Sequence, residues 1–123
     1  MRSSSDERET TIDDPGLRIQ EAVWDDTHVS FETFREPLDS TPLHRGLPDD
    51  RCQCPHWGYV LTGQARIIYA DREEILREGD AYYLPPGHHV AYEAGTETLE
   101  FSPNGPFLET MEVAARNLEA LKD

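Results

Sequence analysis

Apolar and polar residues alternate over short stretches through most of the chain, and that period predicts strands. LRIQEAVW (17–24) and HVSFETF (28–34) alternate in this way. The stretch from Pro37 to Asp50 holds three prolines, one glycine and three aspartates and reads as a loop. HWGYVLTG then reads as a strand ending at a Thr62–Gly63 turn, and QARIIYA as its partner. Asp71–Arg72 turns the chain again before EEILREGD. AYYLPPGHHVAYEAG holds two more short strands around Pro85-Pro86-Gly87, and TETLEFSP is a further strand. Short strands at close spacing, with Gly, Asp and Pro between them, predict an all-β antiparallel barrel or sandwich.

The ends differ from this middle. Residues 1–16 carry Ser, Asp, Glu and Thr with almost no apolar content, and a mobile tail is expected there. At the other end Met111, Ala114, Ala115, Leu118 and Leu121 recur at helical spacing, so 106–123 is expected to form one amphipathic helix. Acidic residues early in it and Lys122 at its end suit the helix dipole. A barrel over 17–105 lies between them. The 123 residues suffice for one domain.

Charge narrows the partners. There are 25 Asp plus Glu against 11 Lys plus Arg, a formal net charge of −14. Such a surface repels nucleic acid and anionic membranes, and is expected to have neither as a partner. No apolar run is long enough to span a bilayer, and MRSSSDERETTIDD is too polar and acidic for a secretory signal. A cytoplasmic protein is expected, in which two cysteines point to metal or redox chemistry before a structural disulfide.

The candidate chemistry is in CQCPHW. Cys52, Cys54 and His56 are spaced two apart, so in an extended strand all three project from one face. Thiolate and imidazole are the donors that zinc and other late divalent metals prefer. His88-His89 follows the Pro-Pro-Gly turn, which a barrel can bring beside that strand. The metal ligands expected are Cys52, Cys54, His56 and His88, with His88 preferred to His89. Against this, the cysteines could be a redox pair or inert buried thiols, although a Cys-x-Cys disulfide would be strained. His28 and His44 have the ordinary character of surface or hydrogen-bonded histidines. Trp57 and Tyr59 are expected to pack on the opposite face of the strand. One of Tyr82 and Tyr83 is expected to face inward, and one of Glu93, Glu97 and Glu100 could face the site.

From Arg51 to Pro103 the chain resembles the cupin superfamily. Gly63, Gly79, Pro85 and Gly87 fall where that superfamily's two motifs place their glycines and proline. Counting back from Gly63, the motif's Glu position falls on His56, its second His on Cys52 and its first on Asp50; the second motif's His falls on Val90. The stretches CPHWGYV and AYYLPPGH are similar to those of a group of small bacterial cupins. The resemblance implies a cupin-type jelly roll, one metal in the barrel and a homodimer. Usual cupin ligands, three His and one Glu, suit iron, manganese or nickel. A site with two thiolates favours zinc instead. Two functions follow as expectations. One is a metal-dependent enzyme acting on a small organic molecule by isomerase, cyclase, lyase or hydrolase chemistry. The other is a non-catalytic zinc-binding or sensory cupin with a closed or redox-responsive metal shell.

Overall fold

The computed structural model describes all residues except 3, 5–7 and 122–123. Ten strands and one helix follow in order: β1 Glu9–Asp14, β2 Leu17–Trp24, β3 Thr27–Phe34, β4 Leu38–Asp39, β5 His56–Thr62, β6 Gln64–Ile68, β7 Glu73–Arg77, β8 Ala81–Leu84, β9 His89–Tyr92, β10 Thr96–Pro103 and α1 Asn104–Leu121. They form two antiparallel sheets, ordered β1-β2-β3-β10-β5-β8 and β4-β9-β6-β7. This is the antiparallel β fold that the alternation predicts and the jelly roll that the cupin resemblance implies, followed by a C-terminal helix.

Two expectations about the ends change. Part of the expected tail, 3 and 5–7, lies outside the described residues. The rest is not a loose end: Glu9–Asp14 is a strand, with Ile12 opposite Ile19 and Asp13 opposite Arg18. An edge strand needs partners for its backbone groups more than apolar side chains. Arg35 adds a tie by donating from Nη1 to Asp13 Oδ1 at 3.0 Å and to the Asp14 carbonyl at 2.7 Å. The helix starts at Asn104, two residues earlier than expected, and its first turn carries no acid. Lys122, expected to cap its far end, lies outside the described residues.

The core fills the space between the sheets with Val60, Ala65, Ile67, Leu76, Leu84 and Val90. Nearby, the rings of Phe34 and Tyr92 stack at 3.7 Å, joining β3 of one sheet to β9 of the other. Such interdigitated apolar burial is the main stabilising term in a sandwich of this kind.

The six-stranded sheet has an unusual polarity. Along β10 the buried residues are Thr96, Thr98, Glu100 and Ser102, whereas Leu99 and Phe101 lie on the other face. Neighbouring β3 sets His28, Ser30 and Glu32 opposite Ser102, Glu100 and Thr98. A polar row therefore points into the barrel. On the outer face Trp57, Tyr59 and Tyr83 are 50%, 42% and 48% exposed, and Trp57 stacks on Tyr83 at 5.2 Å. The expectation that Trp57 and Tyr59 are packing residues is corrected: they are exposed on the outer face of β5, opposite the buried His56 and Val60.

The turn at Gly63 tests how tightly the hairpin is set. Gly63 has φ +85°, and a Cβ there would meet Thr96 Cα at 2.6 Å and Thr96 N at 2.9 Å. Gly79 has a similar φ, +90°, with nothing within 4 Å of the same position. Gly79→Ala carries conformational strain alone, about 1 kcal/mol. Gly63→Ala adds a backbone collision and is expected to cost about 2 kcal/mol or more. Paired urea denaturation curves check the difference; equal losses would contradict it.

Candidate metal centre and cavity

Cys52 and His88 come together through backbone pairing. Cys52 N–H donates to the His88 carbonyl at 3.0 Å, and Gly87 N–H donates to the Cys52 carbonyl at 2.7 Å. This isolated bridge sets the two residues opposite each other. His56, at the first position of β5, lies beside them; its Nε2 is 3.6 Å from Cys52 Sγ. One donor atom from each of Cys52, His56 and His88 lies within 4.8 Å of the other two, and all three residues are buried.

Cys54 is not in the group. The one-strand geometry expected for Cys52, Cys54 and His56 does not form, because regular pairing begins only at His56. Pro55 has no N–H to give to a ladder, so the segment before it is not a strand and the period of two does not apply. The Cys54 thiol is fully buried and points to the Pro55 carbonyl at 3.4 Å. Both cysteines are free. His88, rather than His89, joins the group. His89 turns to His44, with the two Nδ1 atoms 2.8 Å apart.

The donor set fits a metal ion. Tetrahedral zinc with Zn–S near 2.3 Å and Zn–N near 2.05 Å has an S···N separation of about 3.6 Å, and Cys52 Sγ to His56 Nε2 is 3.6 Å. The histidines are also oriented as ligands are. His88 Nδ1 donates to the Pro85 carbonyl at 2.7 Å, which leaves its Nε2 with a lone pair. His56 Nδ1 shares a 2.6 Å hydrogen bond with Ser102 Oγ and lies 3.7 Å from Glu100 Oε2. Both hold the ring by its far nitrogen.

Burial keeps the group uncharged without metal. It pushes the Cys52 thiol up to about 11 and the Cys54 thiol up to about 12. Burial also pulls His56 and His88 down to about 4. A thiolate–imidazolium pair, as a cysteine nucleophile needs, is therefore disfavoured at Cys52–His56.

Beside the donors lies a buried carboxyl pair. Tyr82 Oη donates to Glu100 Oε1 at 2.9 Å, and Thr98 Oγ1 donates to Glu32 Oε1 at 3.0 Å. Burial pushes Glu100 up to about 7; burial, and then the neighbouring Glu100 charge, push Glu32 well above the usual carboxyl range. The Tyr82 contact depends on Gly58. In register across three strands stand Tyr82, Gly58 and Glu100, and any side chain at Gly58 would overlap the Tyr82 ring. Of the acids considered from sequence, Glu100 faces the site. Glu32 was missed; the signal was the alternation of His28, Ser30 and Glu32 with apolar or outward residues along β3.

Cys52, His56, His88, Glu32 and Glu100 all line one cavity of about 190 Å³, and Cys54 does not. Its other walls are apolar, from Ile12, Ile19 and Phe34 on the strands to Phe107, Met111 and Leu118 on α1. His44, expected to be an ordinary polar histidine, is buried and also reaches this cavity. His28 is buried as well, stacked 3.6 Å from Phe107 and 3.1 Å from Glu21.

Solved cupin structures share this architecture. At TM-score 0.58 and 18% identity, the chain is similar to an RmlC-like cupin from Shewanella frigidimarina, covering 82% of this chain and 88% of that one. The fold is that of a cupin. It is also similar to KdgF from Halomonas sp., at TM-score 0.57 and 22% identity over 81% of this chain and 92% of that one. A transcriptional regulator of the HTH_3 family from Vibrio cholerae gives TM-score 0.54 at 13% identity, over 77% of this chain and 55% of that one. Residues 54–105 match the family of AraC-like ligand-binding domains. No curated protein matches the chain in sequence. No helix among the described residues is long and apolar enough to cross a membrane.

The pH dependence of metal uptake follows from these surroundings. The buried Cys52 thiol holds its proton at neutral pH, and a metal takes the thiolate. His56 and His88 are already neutral above about 4. Raising the pH therefore favours binding chiefly through the Cys52 proton, with a smaller contribution from Glu100, which burial holds near 7 and which lies 3.7 Å from His56. Between about pH 6 and 8 the association constant for zinc is expected to rise about tenfold per unit, and Cys52→Ser is expected to flatten that slope. Competition titrations at several pH values read it. A pH-independent constant in the wild-type protein would contradict thiolate ligation.

Proposed function

We propose that this cupin is a metal-dependent enzyme acting on a small organic molecule, with zinc held by Cys52, His56 and His88. The observation that carries the proposal is that all three donors line the cavity, so a metal held by them has a side open to a ligand. Three protein donors and a free position are the pattern of catalytic zinc, whereas structural zinc has a shell closed by four. The position of Cys54, away from the group, weighs against the closed shell of a structural or sensory site. One thiolate and two imidazoles still favour zinc over the harder ions.

Bound there, the ion would polarise a carbonyl or lower the pKa of a water molecule. The chain's own residues supply the rest. Glu100 is placed to take or give a proton, because burial holds its carboxyl near neutrality, where both forms are accessible. Tyr82 fixes that carboxyl by donating to Oε1. Glu32 and Glu100 together can hold one proton between them, since two buried carboxylates side by side repel. Pro85 and Ser102 orient the two imidazoles. The apolar walls exclude water from the reacting end. Isomerase, cyclase, lyase or hydrolase chemistry, each of which needs polarisation and a proton transfer, fits this equipment.

Elemental analysis of the purified protein tests the proposal, with about one zinc per chain expected. In the cobalt-substituted protein, a thiolate-to-metal charge-transfer band is expected to survive Cys54→Ser and to vanish in Cys52→Ser. His56→Ala is expected to lower zinc affinity at least about tenfold, or about 1.4 kcal/mol. Loss of the band in Cys54→Ser, or wild-type affinity in His56→Ala, would overturn the ligand assignment. A homodimer is part of the proposal, with the outward Trp57, Tyr59 and Tyr83 as its apolar contact. Sedimentation equilibrium is expected to give twice the chain mass, reduced to one by Trp57→Asp.

A further inference from the structure

The cavity has two chemical halves. The donor group and the carboxyl pair lie together; the rest of the lining is largely hydrocarbon, with Ser40, His44 and Thr110 the polar exceptions on the loop and helix. Ile19, Phe34 and Leu38 form the strand side, and Phe107, Met111 and Leu118 form the helix side. The helix wall is anchored, because Asn117 Nδ2 donates to the carbonyls of Leu43 and Arg45, both at 2.8 Å. Ala114 and Ala115 also face the cavity from α1, and their small side chains leave its volume open.

Three classes of ligand fit this chamber poorly. Among the described residues no Arg or Lys lines it, while two glutamates do. With no metal bound, a carboxylate or phosphate would lie in a largely apolar chamber beside two carboxyl groups, with no side-chain cation to offset its charge. A sugar carries hydroxyls all round, and those against the hydrocarbon walls would lose water with no partner, at about 1–3 kcal/mol each. A large molecule is excluded by volume. A cavity near 150 Å³ accepts benzene, so 190 Å³ suits roughly seven to nine non-hydrogen atoms.

From this two-part lining we infer that the ligand is a small uncharged molecule with a hydrocarbon body and a single oxygen head group, such as a phenol, alcohol or ketone. The head lies at the end formed by Cys52, His56, His88 and Glu100, and the body lies against Phe34, Phe107, Met111 and Leu118. The inference rests on the proposed function for the role of the head group, but the fit of the body depends on the walls alone.

The test uses the zinc-loaded full chain and, separately, the chain treated with chelator. Calorimetry is run with p-cresol, with benzoate as the anion of similar size and with arabinose as the polyol. In the chelator-treated chain p-cresol is expected to bind at least about tenfold more tightly than either, with a negative heat-capacity change. Ala114→Phe fills the chamber away from the donors and is expected to abolish p-cresol binding while zinc content stays at the wild-type value. Leu118→Trp, at another half-buried lining position of α1, serves the same purpose where Ala114→Phe does not fold, and the three-ligand comparison on the wild-type chain stands without either. Binding of benzoate or arabinose to the chelator-treated chain as tight as that of p-cresol would overturn the inference, as would p-cresol binding unchanged in a folded, chamber-filling variant. p-Cresol binding in a chain that takes up no zinc would uphold the ligand class and overturn the metal proposal instead.

Discussion

Everything at the centre of this barrel depends on one requirement, that a row of polar side chains facing inward be satisfied. Thr96, Thr98, Glu100 and Ser102 on β10 and His28 and Ser30 on β3 are buried, with Glu32 half-buried beside them, where an unpaired polar group is costly. Their partners are specific. Thr98 donates to Glu32, Tyr82 to Glu100, and Ser102 meets the His56 imidazole. A shift of β10 by one residue would send Leu99 and Phe101 inward and break all three links. The polar row therefore sets the register of the six-stranded sheet as firmly as an apolar core would.

The same requirement links fold to chemistry. A histidine whose Nδ1 is engaged presents its Nε2 in a fixed direction, and both His56 and His88 are held in that way. Cys52 reaches them from a segment with only one bridge of backbone pairing. Desolvation keeps thiol and imidazoles neutral, so the group is a set of donors awaiting a cation rather than an ion pair. The carboxyl pair beside it is likewise driven toward the protonated form. Polarity is thus concentrated in one part of the barrel, and the remaining volume is left to hydrocarbon.

Strand positions were legible because they depend on a local period. β2, β3, β5, β6, β7 and β10 stand where alternation and turn residues place them. The site was legible in part. His56 and Cys52 were accessible from donor type and spacing, and His88 from its place after the Pro-Gly turn. Cys54 could not be sorted from them, because its direction depends on how Pro55 ends the pairing. β1 was missed because its stability comes from the backbone of β2 and from Arg35, a contact far away in sequence. The carboxyl pair was half visible, since Glu100 and Glu32 lie on different strands and only pairing brings them together.

By itself, the amino-acid sequence determined an antiparallel β domain with a C-terminal helix, a strongly acidic surface and a cluster of soft donors around Cys52–His56. These follow from period, composition and spacing, which are properties of neighbouring residues. Tertiary structure decided which face of each strand is inside, which sulfur joins the histidines and where the chamber opens. Those outcomes depend on strand register and on long-range pairing between segments such as Cys52 and His88, and no local pattern encodes them.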